Sequence, residues 1–65
     1  MLAIERQEQI VSQIRRDGAV RIHELTKQFG VSVETIRRDL LELERQDCLH
    51  RVHGGAVGIA VAKQY

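Results

Sequence analysis

Ser32, Thr35, Arg37 and Arg38 cluster at the start of a helical stretch and could together handle a polyanion. A guanidinium can bond bidentately to guanine or clamp a phosphate, and hydroxyls can donate to either. The order of charges along this stretch supports the same chemistry. A helix prefers acids at its start and bases at its end, by about 0.3–1 kcal/mol per charge. Here Arg37 and Arg38 precede Glu42 and Glu44, the less favourable order. A purely structural helix gains nothing from it, whereas a helix that points its first half at phosphates does. The alternative is a solvated face with an Arg38–Glu42 pair, worth about 0.2–0.5 kcal/mol. A second group, Arg51, His53, Gly54 and Gly55, is basic and glycine-rich. All nine acids lie between Glu5 and Asp47, so the C-terminal quarter, with Arg51, Lys63, His50 and His53, is the basic end. Net charge is only +1, so this uneven distribution is what a polyanion would meet.

These groups need elements to hold them. A first helix is expected over Ala3 to Arg16, with Ala3, Ile10 and Ile14 on one face around Gln7, and Gly18 ending it. Ala19 to Ile22 reads as a minimal strand. A second helix runs from His23 to Phe29, with Ile22, Leu25 and Phe29 at three- and four-residue spacing and Gly30 as its stop. Gly30-Val31-Ser32 is the turn, and Ser32 suits the N-cap of a third helix, Val33 to Gln46. Its buried stripe is expected at Val33, Ile36, Leu40 and Leu43, with Leu41 left outside. Gly54-Gly55 then signals a hairpin with a primed two-residue turn. That register pairs His53 with Ala56, Val52 with Val57, Arg51 with Gly58 and His50 with Ile59. It gives an apolar face of Cys48, His50, Val52, Val57, Ile59 and Val61. The other face is basic and small: Arg51, His53, Ala56, Gly58 and Ala60, with Leu49 out of place on it.

The expected fold is mainly α with a small β-hairpin: a three-helix winged helix-turn-helix. In that arrangement the second helix of the motif enters the DNA major groove. Ser32, Thr35, Arg37 and Arg38 would face base edges, and Arg51, His53, Gly54 and Gly55 would form a wing on the backbone or in the minor groove. Arg6 and Arg21 are further candidates for phosphate contact. A winged-helix module that binds protein rather than DNA is the rival reading, favoured by acids such as Glu34 on the same helix.

Other chemistries find less support. At 65 residues there is one small domain with a thin core, without room for an ordinary catalytic cleft between two layers. Ser12 and Ser32 have no base and orienter in evident reach, so no enzyme is expected, and no cofactor. Cys48, His50 and His53 match no common zinc spacing, and no metal is expected. A single cysteine allows no internal disulfide and favours the cytoplasm. No run approaches a membrane span or a signal peptide. Few aromatics disfavour single-stranded nucleic acid, which stacks on them.

The sequence resembles the DeoR family of bacterial transcriptional regulators. The resemblance is carried by Arg6, Ile10 and Ile14, then Ser32, then the run Thr35-Ile36-Arg37-Arg38-Asp39-Leu40, and by Arg51-Val52-His53-Gly54-Gly55-Ala56. It departs mildly at Asp47, Cys48 and His50, where glycine, an aliphatic and a larger or more basic residue are usual. Asp tolerates the left-handed backbone that glycine would supply after the third helix. The resemblance implies that residues 3–58 are the operator-reading domain of a repressor of carbohydrate or nucleoside metabolism. Residues 59–65 would be a tail or the start of a linker. The linker would lead to a further domain that binds a sugar-phosphate-like effector and makes the parent a homo-oligomer.

Overall fold

The computed structural model describes the backbone of residues 1–62 and side chains as far as Ala60. Among the described residues, four helices and three strands follow one another: α1 (Ala3–Asp17), β1 (Ala19–Arg21), α2 (Ile22–Phe29), α3 (Val33–Arg45), β2 (His50–Val52), β3 (Gly55–Val57) and a single turn, α4 (Ile59–Ala62). The three long helices and the hairpin are those expected, with ends moved by a residue or so. The expected tail is helical as far as Ala62, and residues 63–65 of it lie outside the described residues.

The punctuation works as anticipated. Gly18 and Gly30 close α1 and α2 in the left-handed region. Ser32 Oγ accepts from the Thr35 N–H at 3.1 Å, capping α3. Asp47 adopts φ 60°, the conformation its short polar side chain tolerates. A feature not foreseen is the start of α1, where Glu5 reaches back to accept from the Leu2 N–H at 2.9 Å.

The core is Ile10 and Ile14 from α1, Val20 from β1, Leu25 from α2, and Ile36, Leu40 and Leu43 from α3, closed by Leu49 and Ala56. The α3 stripe is therefore correctly phased. Val33 is the exception: it has the right phase but is 40% exposed, because it is the first residue of the helix.

The hairpin corrects two expectations. Its register is His50↔Val57, Arg51↔Ala56 and Val52↔Gly55, so the two loop residues are His53 and Gly54. Only Gly54, at φ 74°, has positive φ there, the sign pattern of a type II turn rather than a primed one. The faces are also inverted. Leu49 and Ala56 are buried, while His50 and Val52 look outward, Val52 at 46% exposure. Leu49, out of place in the expected register, is the large residue that anchors the hairpin to the core. Ala56, fully buried on the central strand, completes that face of the core.

The sheet has order β1-β3-β2, all antiparallel, so β3 is central. β3 ends at Val57, and the next residue, Gly58, donates its N–H to Gly18 O at 3.0 Å. Ile59 consequently starts α4 instead of pairing with His50. The expected placing of Val61 falls outside the described side chains. At the other end, the Ile22 N–H donates to Gly54 O at 2.9 Å, fastening the wing turn to the start of α2.

Candidate nucleic-acid interface

α2, the turn and α3 form the helix-turn-helix, and the hairpin stands beside α3 as a wing. The expected site residues divide along the two flanks of α3. On one flank Arg37 lines a cleft with Arg51, His53, Gly54 and Gly55, floored by Ile22 and Leu40. On the other, Thr35 and Arg38 line a groove against the N-terminal part of α1. Ser32 lies at the exposed end of α3, its Oγ 3.0 Å from Thr35 Oγ1. Arg37 therefore lies on the wing side of α3.

The cations differ in how they are held. Arg38 Nε is 3.8 Å from Glu34 Oε1, and both side chains are largely exposed. The expected partner, Glu42, instead lies 3.6 Å from Arg45. Exposed pairs of this kind are worth about 0–1 kcal/mol, so Arg38 can exchange its carboxylate for a phosphate at little cost. Arg37 makes no ion pair among the described residues. Arg51 is held more firmly. Its Nε donates to Glu44 Oε1 at 2.9 Å and its backbone N–H donates to Glu44 Oε2 at 2.8 Å.

These two bonds, the backbone one first, hold the Glu44 carboxyl below its ordinary range. The folded-state pKa is thus lower than the unfolded one. The resulting stabilisation is complete above the ordinary glutamate range and is lost as pH falls through the lower folded value. Acid melting of the wild-type chain should show this loss, and Glu44→Gln should flatten the acid limb. An unchanged acid limb in that variant would mean the tether contributes nothing.

Arg6 overturns its expected role. It is not offered to phosphate but lies buried between α1 and α3, paired through Nε and Nη2 with Asp39, the Nη2 bond measuring 3.1 Å. Gln7 Nε2 donates to the same carboxylate at 3.1 Å. The Asp39 hydrogen bond is the main reason the Arg6 guanidinium is held above its ordinary pKa. Sequence reasoning missed this lock, although a signal was there. Arg6 is in phase with Ile10 and Ile14 at four-residue steps, and Asp39 lies three residues from Ile36 on the buried stripe. Opposite charges on the apolar faces of two helices point to each other. Arg21 remains exposed on β1.

Gly55 is buried in the central strand, and a Cβ there would lie 2.2 Å from Val20 O. The missing side chain thus serves the approach of β1 to β3. His50 Nδ1 is 3.8 Å from Glu44, and Cys48 packs partly buried against the core.

Two helices at a short turn, a capped second helix with exposed arginines and a basic wing define a winged helix-turn-helix DNA-binding domain. The chain belongs to the DeoR-like helix-turn-helix domain family, whose model matches residues 6–61. It is 49% identical over 59 residues to the uncharacterized HTH-type transcriptional regulator YulB of Bacillus subtilis, covering 91% of this chain and 23% of that protein. It is 45% identical over 53 residues to a putative aga operon transcriptional repressor of Escherichia coli O157:H7, covering 82% of this chain and 20% of that protein. It is 40% identical over 52 residues to the lactose phosphotransferase system repressor of Staphylococcus aureus, covering 80% and 21% respectively. The chain thus spans about a fifth to a quarter of the curated relatives it matches. No solved structure matches it. Among the described residues, no helix is long and apolar enough to cross a membrane.

Proposed function

We propose that this chain is the operator-reading part of a bacterial repressor of carbohydrate or nucleoside metabolism, acting on double-stranded DNA in the cytoplasm. The observation that carries this is the cleft in which Arg37 of α3 meets Arg51, His53 and Gly54 of the wing. A duplex laid along α3 would meet cations on both flanks. Ser32, Thr35, Arg37 and Arg38 would take the major groove. Arg51 and His53 would take the backbone beside it, where the exposed Gly54 adds no bulk. The regulators named above support the assignment to transcription, and the one named for lactose supports carbohydrate. Residues 3–58 make up the DNA-reading unit in this reading, and residues 59–65 lead towards a sugar-phosphate-sensing, oligomer-forming part. The domain carries out binding, not catalysis, and needs no cofactor.

The test compares Arg38→Ala with Arg51→Ala on a duplex selected from a random pool by the wild-type chain, and on a scrambled duplex, across a salt series. Loss of Arg38 should cost about 1–3 kcal/mol on the selected duplex and relax one base position. Loss of Arg51 should weaken both duplexes alike and reduce the salt slope by about 1. If Arg38→Ala lowers both equally and Arg51→Ala only the selected one, the wing is the reader. If the wild-type chain enriches no duplex, the DNA reading itself fails.

A further inference from the structure

β2 is an edge strand, and edge strands leave backbone N–H groups facing outward. At Arg51 that group does not go to water. It donates to Glu44, a residue of the recognition helix itself, at 2.8 Å. The other oxygen of the same carboxylate accepts from Arg51 Nε at 2.9 Å. One side chain therefore grips both the main chain and the side chain of a single wing residue. A guanidinium has five N–H donors. Glu44 takes the one on Nε, and among the described residues those on the two Nη nitrogens make no hydrogen bond. The grip thus orients Arg51 and leaves most of its donors free, in the cleft it shares with Arg37.

We propose that Glu44 is a positioning residue for DNA binding: it sets the angle of the wing against α3 and aims the free donors of Arg51 at the phosphate backbone. This rests on the DNA reading above. Positioning by Glu44 and simple electrostatics have opposite signs. Removing an acid beside a polyanion should tighten binding through charge alone. Removing a positioning acid should weaken it.

The experiment measures the affinity of the wild-type chain, Glu44→Gln, Glu44→Ala and Glu42→Gln for a fluorescent duplex selected from a random pool by the wild-type chain. Hydrogen exchange at the Arg51 amide is followed in the same proteins. Glu44→Gln keeps the shape and one acceptor oxygen but cannot hold both bonds. It should bind about 3- to 10-fold more weakly, the worth of about one hydrogen bond, with faster exchange at Arg51. Glu44→Ala should bind more weakly still; should it fail to fold, Glu44→Gln decides. Glu42→Gln, which removes an acid from the same helix without touching the wing, should bind as well as wild type or better. If Glu44→Gln binds as tightly as wild type or more tightly, the inference is overturned while the DNA reading stands. If the wild-type chain enriches no duplex, the DNA reading falls and this inference with it.

Discussion

Asp39→Ala should leave the domain largely unfolded at room temperature. The substitution strands the Arg6 guanidinium in a site where its side chain is 11% exposed, and it takes the acceptor from Gln7 as well. Breaking a buried pair by removing one partner typically costs about 3–5 kcal/mol, because an uncompensated charge stays inside. Folded domains have about 5–15 kcal/mol in all, and one with so thin a core belongs at the lower end. The penalty therefore takes most of the available stability. Arg6→Ala should be comparably severe, since it leaves the carboxylate inside with Gln7 alone. The double variant Arg6→Leu/Asp39→Leu should recover much of the loss, because apolar replacement of a whole buried pair is often near neutral. Denaturant melts check all three. A single variant melting within a few degrees of wild type would mean that water reaches the pair and that it does not lock α1 to α3. Asp39 adjoins Arg38, so the lock holds in place the helix that carries Arg37 and Arg38.

Gly55→Ala should detach β1 from the wing. The added Cβ would meet Val20 O at 2.2 Å, Val20 C at 3.2 Å and Arg21 Cα at 3.3 Å, all backbone atoms. A side chain in the way could rotate; a strand must move. Overpacking costs about 1–3 kcal/mol where side chains can adjust, and the rigid neighbours here place this substitution at or above the top of that range. Separating β1 from β3 would also expose Val20 and Ala56, which are paired across the two strands and buried. Gly54 is the informative contrast. It has nothing within 4 Å, and its φ of 74° is a conformation that asparagine tolerates. Gly54→Asn should therefore melt close to wild type, while Gly55→Ala loses the Val20–Ala56 cross-strand contact in nuclear Overhauser spectra. Equal melting of the two variants would refute the close-approach explanation.

Local signals in the chain were enough for the helices. Gly18, Gly30 and Ser32 act over one turn of backbone, and the Ile36, Leu40, Leu43 stripe repeats at the helical period, so boundaries and buried faces could be read directly. The arginine-bearing start of α3 and the basic wing were legible for the same reason. The hairpin was not. Two adjacent glycines, Gly54 and Gly55, allow the turn to sit on either side, and alternation along a strand does not say which face is inside. That was decided by β1, which follows α1 directly and pairs with β3 across a long stretch of chain, Val20 with Ala56, a contact no periodicity records; with that pairing Ala56 and Leu49 are the buried residues of the hairpin. Two ion pairs likewise join different elements, Arg6 of α1 to Asp39 of α3, and Glu44 of α3 across the turn to Arg51 of β2. Sequence by itself determined which residues were candidates for meeting DNA, with Arg6 wrongly among them. Tertiary structure decided which cations are held inside, which are aimed and which are free, because burial and pairing depend on what the other elements bring within hydrogen-bond reach.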